Sequence, residues 1–182
     1  MDYTEKTLAR EELYQGRIIH VYKDTVALRD GKETIREVVD HPGGVTVVPV
    51  DAEGRVYCVR QYRYPYGEHV LETPAGKLER GEDPLECARR ELSEETGFTA
   101  EQFVDLGRIY PSPGYCREII YLYLALGLKA GEQHLDAGEF LDVERHPLEE
   151  LVGMAMDNTL LDAKTVVGVL KADRWLRERK GA

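Results

Sequence analysis

Residues 76–98 read GKLERGEDPLECARRELSEETGF, with seven acids set among four bases. Glu86, Glu91, Glu94 and Glu95 fall on one short predicted helix. Glu91 and Glu95 are i, i+4 neighbours and Glu94 stands beside Glu91 at i+3. Side chains so spaced have Cβ atoms roughly 5–6 Å apart, and like charges there destabilise a helix by about 0.2–0.5 kcal/mol. Glu94 and Glu95 also lie in the last turn, where the negative end of the helix dipole opposes them. A solvated, salt-bridged face is the ordinary fate of a charge run. Locally costly acids on one face equally suit a hard cation such as Mg2+, which takes oxygen ligands at about 2.0–2.1 Å and keeps several waters. Pattern arithmetic alone leaves both readings standing. Arg90 beside the cluster serves either one, as a clamp on a carboxylate rotamer or as a plain helix salt bridge.

The helix that must present these acids has legible ends. Asp83 can cap it, Pro84 suits its first position, and Glu86 stands where a capping-box acid belongs. Gly97 supplies the stop. Leu85, Ala88 and Leu92 form a narrow apolar stripe that can face a sheet. Ahead of it, RIIHVYKDTVAL and ETIREVVD read as strands joined around Asp30-Gly31, a hairpin signal. His41-Pro42-Gly43-Gly44 then marks a boundary. VTVVPV and VYCVRQYR flank DAEGR as a second expected hairpin, and IIYLYLALGL reads as a strand buried on both faces. Two helices are expected near the end. One has Pro147 in its first turn, and the other follows Asp162 with Ala163, Val166, Val167 and Leu170 as its core stripe. Trp175 and Leu176 are expected to dock the tail.

Composition narrows the function classes. The 182 residues suit one domain with an extra terminal element, 42% are apolar, and the net charge is −10. An acidic chain is repelled by phosphate polymers and anionic bilayers, so neither nucleic acid nor membrane is an expected partner. A small phosphorylated substrate stays open if metal ions cancel the local charge. Cys58, Cys87 and Cys116 form no CxxC pair, which argues for a reducing compartment and a cytoplasmic protein.

The spacing adds a resemblance. Gly76, five residues, Glu82, seven residues and then Arg90-Glu91-Leu92-Ser93-Glu94-Glu95-Thr96-Gly97-Phe98 resembles the Nudix box at every defined position. The resemblance implies an α+β fold: an α/β/α sandwich with a mixed sheet, here residues 43–182, preceded by an antiparallel β-ribbon, residues 1–42. REVVDHPGGV, VRQYR, LETPAGKLE, YPSPG and LDAKT are similar to the ADP-ribose pyrophosphatase subgroup. That likeness implies hydrolysis of ADP-ribose to AMP and ribose 5-phosphate with Mg2+, or with Mn2+ or another divalent ion. It points to Ala75 (through its carbonyl), Glu91 and Glu95 as metal ligands. Glu94 and Glu139 compete as the base, and Arg90 supports them. Arg63 and Arg36 resemble contacts to the nucleotide, though either fits an ordinary surface arginine. Glu72 holds substrate or orients the box loop, and Ser112, Pro113 and Gly114 wall the terminal ribose. Relatives of this kind are homodimers that exchange N-terminal strands. FAD, a GDP-sugar or a dinucleoside polyphosphate are alternative substrates, and a nucleotide-sensing module without hydrolysis is the alternative of another class.

Overall fold

The computed structural model describes residues 2–180. Met1, Gly181 and Ala182, which the expected domains 1–42 and 43–182 include, lie outside the described residues. The chain separates into two compact units. One holds the residues up to Gly43 together with Tyr110–Ile119, and the other holds Gly44–Ile109 and the chain from Ile120 on.

The first unit is an antiparallel sheet in the order β1 (Lys6–Gln15), β2 (His20–Ala27), β3 (Glu33–Asp40). The β2–β3 turn closes as the Asp30-Gly31 pair predicts, with Gly31 at φ 83° and its N–H donating to the Leu28 carbonyl at 2.9 Å. β1 has no counterpart among the expected strands. All ten of its residues are exposed, so it lacks the alternation of apolar and polar residues that marks a half-buried strand. The 110–119 segment joins this unit through a parallel bridge between Val39 and Cys116.

The second unit is layered. Its central sheet runs β7 (Ala75–Lys77), β4 (Gly44–Pro49), β9 (Ile120–Ala130), β8 (Phe98–Ile109), with β4 and β9 parallel and the outer pairs antiparallel. Alternation along β4 and β9 builds two cores. Val45, Val47, Tyr123 and Ala125 meet Cys87, Ala88 and Leu92 of α1 (Pro84–Thr96). Val48, Leu122 and Leu124 meet Val169 and Ala172 of α3 (Ala163–Lys180) and Leu151 of α2 (Leu148–Met156). A second sheet, β10 (Leu141–Pro147), β5 (Arg55–Arg63), β6 (Glu68–Glu72), adds Val56, Cys58 and Leu71 to that core. The mixed sheet between helical layers is the expected α/β/α arrangement.

Three local expectations are corrected. DAEGR does turn the chain, with Val50 bridged to Val56, but β4 and β5 then diverge into different sheets. β4 is buried throughout and β5 is buried at Val56, Cys58 and Val59, each covered within its own sheet and layer. Pro147 ends β10 and precedes α2 instead of starting it, because its ψ of 136° is extended. On α3 Val166 and Val167 pack against the core as expected, but Ala163 is exposed, Leu170 is half-buried, and the buried positions are Thr165, Gly168, Val169 and Ala172. Trp175 and Leu176 do pack on the core.

Candidate functional site

α1 forms as its sequence predicts. The Asp83 carboxylate accepts from the N–H groups of Leu85 and Glu86, Pro84 opens the first turn, and Gly97 closes the helix at φ 73°. The Glu86 side chain pairs with Arg89 at 3.5 Å. Leu92 and Ala88 anchor one face in the core, which leaves Glu91, Glu94 and Glu95 along the side nearest β7 and the chain that follows it.

The guanidinium of Arg90 gathers this side. Its Nε donates to Glu82 at 2.9 Å, Nη1 to Glu91 at 2.7 Å and to Glu94 at 2.9 Å, and Nη2 to Glu82 at 3.1 Å and the Lys77 carbonyl at 3.3 Å. Those bonds use all the donors an arginine has. Arg90 therefore ties the loop to the helix and orients acids, with no N–H left for a ligand.

Four acids divide into two kinds. Hydrogen bonds from Arg90 hold Glu82 down to about 2. Burial works to raise Glu72, but the Arg63 fork (2.5 and 2.6 Å) and Lys164 outweigh it and hold its carboxyl below the ordinary range. Glu91 and Glu95 behave oppositely. Burial raises Glu91 despite Arg90, with Glu94 and Glu139 adding repulsion. Glu95 is 1% exposed, and burial pushes it up to about 8, aided by Glu91 and Glu139 and resisted by the Ala75 N–H at 2.9 Å. Burial is the main cause at both carboxylates, and it outweighs Arg90 at Glu91 and the charge of Lys164 at Glu95.

Gly76 lies directly against them. A Cβ at that position would come within 1.8 Å of Glu91 Oε1, so the missing side chain is what gives the carboxylate its place. The donor set is hard oxygen, which fits Mg2+ or a similar divalent ion. Among the described residues no group of three acidic, His or Cys side chains is placed to hold an ion unaided. That suits an ion held by one or two carboxylates with water and phosphate completing its shell.

Glu72 belongs to a buried chain of polar contacts. Lys164 bridges Glu72 and Asp162, and Asp162 caps α3 by accepting from the Thr165 N–H at 3.0 Å. The Thr165 hydroxyl meets Thr73, whose own hydroxyl meets Thr46 at 2.7 Å, and no buried side-chain polar atom is left unpaired among the described residues. This chain fixes the segment between β6 and β7 that leads to Ala75 and Gly76. Asp162 caps the helix as the sequence predicts, whereas Lys164 and Thr165 escaped the sequence reading as participants, although LDAKT was the signal that held them.

Glu139 lies between β9 and β10, and its charge is felt at both Glu91 and Glu95. Arg36, Ser112, Pro113 and Gly114 belong to the first unit. There Arg36 makes a two-point fork with Glu5 at 2.9 and 2.6 Å. The Ser112 carbonyl accepts from Cys116 N–H at 2.9 Å, and Pro113 and Gly114 form an exposed turn.

Comparison with known proteins agrees with this arrangement. Residues 40–166 match the NUDIX domain and residues 5–39 the nucleoside diphosphate sugar hydrolase N-terminal domain. An ADP-ribose pyrophosphatase of Bacillus subtilis (strain 168) is 41% identical over 167 residues, covering 91% of this chain and 90% of that protein. A methanol dehydrogenase activator of Bacillus methanolicus is 41% identical over 169 residues, covering 92% and 91%. Relatives near 32% identity include a GDP-mannose pyrophosphatase of Yersinia enterocolitica. A crystal structure of an ADP compounds hydrolase superposes with a TM-score of 0.85 at 23% identity, covering 96% and 95% of the two chains, and supports the fold. The acid-bearing helix, the glycine beneath Glu91 and the match over residues 40–166 together place the chain in the Nudix family.

Proposed function

We propose that this protein is a Mg2+-dependent pyrophosphatase that hydrolyses ADP-ribose to AMP and ribose 5-phosphate. The observation that carries the chemistry is the pair of buried carboxylates, Glu91 and Glu95, set on one helix beside Gly76, where burial raises both. The substrate follows from the likeness along most of the chain to an ADP-ribose pyrophosphatase.

In this reading Glu91, Glu95 and the Ala75 carbonyl would hold the metal, and Arg90 keeps Glu91 and Glu94 in position. A divalent ion bound there lowers the pKa of water and offsets charge on the phosphoryl oxygens. Glu139 or Glu94 takes the proton as water attacks phosphorus and the bridging P–O bond breaks. Arg63, held in a set rotamer by Glu72, contacts phosphate or ribose. Arg36 and the Ser112-Pro113-Gly114 turn contact the nucleotide and the terminal ribose, and the working form is a cytoplasmic homodimer. Exposed Leu8, Leu13, Tyr14, Ile18 and Ile35 on the first unit support a partner chain there.

The test is kcat/KM for ADP-ribose, FAD, GDP-mannose and diadenosine polyphosphates with Mg2+, with products separated by chromatography. ADP-ribose is expected to lead. A tenfold lead by another substrate, about 1.4 kcal/mol of transition-state preference, overturns the substrate assignment and keeps the family.

A further inference from the structure

The loop between β9 and β10 is fastened to the C-terminal end of the helix that carries the acids. Gly131 N–H donates to the Gly97 carbonyl at 2.7 Å and His134 N–H to the Glu94 carbonyl at 3.0 Å. The Gln133 side-chain amide donates to the Glu95 carbonyl at 2.5 Å. The last carbonyls of a helix have no partner within it. Here two of them belong to Glu94 and Glu95, so one residue pair offers its side chains to the site and its backbone to the loop. Gly97 makes the close approach possible, since a Cβ there would stand 3.0 Å from Gln133 N and from the Glu132 carbonyl carbon.

Beyond His134 the fastening stops. Asp136, Ala137, Gly138 and Phe140 are exposed, and Glu139 is held by its own turn, its N–H donating to the Asp136 carbonyl at 3.0 Å and its carboxylate accepting from the Asp136 N–H at 3.4 Å. The loop thus has a docked stem and an open tip, and the tip bears Glu139. Of the three bonds in the stem only that of Gln133 is made by a side chain, so it alone can be removed by substitution without altering the backbone.

We propose that Gln133 is a positioning residue whose bond to the Glu95 carbonyl sets the reach of Glu139 toward the phosphoryl group bound at Glu91 and Glu95. The inference rests on the pyrophosphatase reading above. A carbonyl calls for a donor, and glutamine supplies one at the length the gap requires. Lysine also supplies an N–H and favours a helix C-terminus by its charge, whereas methionine keeps the length without a donor.

The experiment compares Gln133→Met, Gln133→Lys, Glu139→Gln and the double variant Gln133→Met/Glu139→Gln in the full chain, measuring kcat, KM and Tm with ADP-ribose and Mg2+. Gln133→Met is expected to lower kcat by about tenfold, less than the roughly 100-fold or more that a general base contributes, because Glu139 is displaced and not removed. KM and Tm should stay near those of the unaltered protein, and Gln133→Lys should recover most of the loss. Because Gln133 acts through Glu139, the double variant should be no slower than Glu139→Gln alone. Unchanged kcat in Gln133→Met overturns the inference, as does an equal fold-loss in both backgrounds or a loss that follows Tm. An unaltered protein that cleaves no nucleoside diphosphate compound refutes the proposed function and this inference with it. Normal turnover with an indifferent Gln133→Met overturns the inference alone.

Discussion

Glu95 is buried as deeply as the apolar core around it, and the Ala75 N–H and the charge of Lys164 do not offset that burial and the repulsion of Glu91 and Glu139. Its carboxyl is pushed from an ordinary 4.5 up to about 8, so the folded protein binds a proton that the unfolded chain releases. The metal-free protein is then expected to lose stability as pH rises from about 4.5 to about 8, by an amount on the order of a few kcal/mol. Glu95→Gln keeps the bond from Ala75 N–H and removes the charge. It should flatten that slope, hold or raise Tm in the absence of metal, and lower kcat by about a hundredfold or more. Thermal melts across that pH range with EDTA, beside turnover at saturating Mg2+, check both effects. Near-normal turnover would remove Glu95 from the ligand set. The sequence made this residue conspicuous, because an acid that costs stability locally stands out against helix rules. Helix rules alone did not show which acids are paired, since Glu82 meets Arg90 and Glu72 meets Arg63 and Lys164 across the fold.

Among the elements, α1 was the most legible because its caps, stripe and stop are local chemistry within residues 83–97. Elements defined by distant partners were not. β1 is exposed throughout and carries no apolar alternation, and the partners of β4 and β5 are settled by the layers that bury them. The C-terminal helix hid its function in the same way, since Thr165 and Lys164 act through Thr73 and Glu72, ninety-two residues away. The link between β7 and α1 offers a test of how elements position the site. At Gly76 the three atoms nearest an added Cβ all belong to the end of the flexible Glu91 side chain. Gly76→Ala should therefore turn Glu91 aside while the strand and helix stay in place. Expected is a fall in kcat of about a hundredfold, comparable to loss of an oriented electrostatic group, with Tm within a few degrees of the original. An alanine variant with full activity would mean that Glu91 need not occupy the space above Gly76.

At the scale of the whole chain, the first unit poses a physical problem that the second does not. Leu8, Leu13, Tyr14, Ile18 and Ile35 are each about half exposed on a three-stranded sheet that has Val26 and Asp24 as its fully buried residues among those described. Apolar area on that scale is stabilised by burial at about 25 cal/mol per Å2, and a second copy of the chain would provide it. Arg36 and the Ser112-Pro113-Gly114 turn share this unit, through hydrogen bonds of Val39 to Tyr115 and Arg117. The assembly and nucleotide contacts are thus expected to fail together. Removing residues 1–42 should give a monomer or an unstable protein by sedimentation, with KM for ADP-ribose raised by about tenfold or more, the scale of one lost charged contact. The second unit keeps its helix, its acids and its layered core in that variant, so residual turnover at high substrate concentration is expected wherever the truncated chain folds. A truncated protein that remains dimeric with an unchanged KM would mean that neither the subunit contact nor the nucleotide contact lies in those residues.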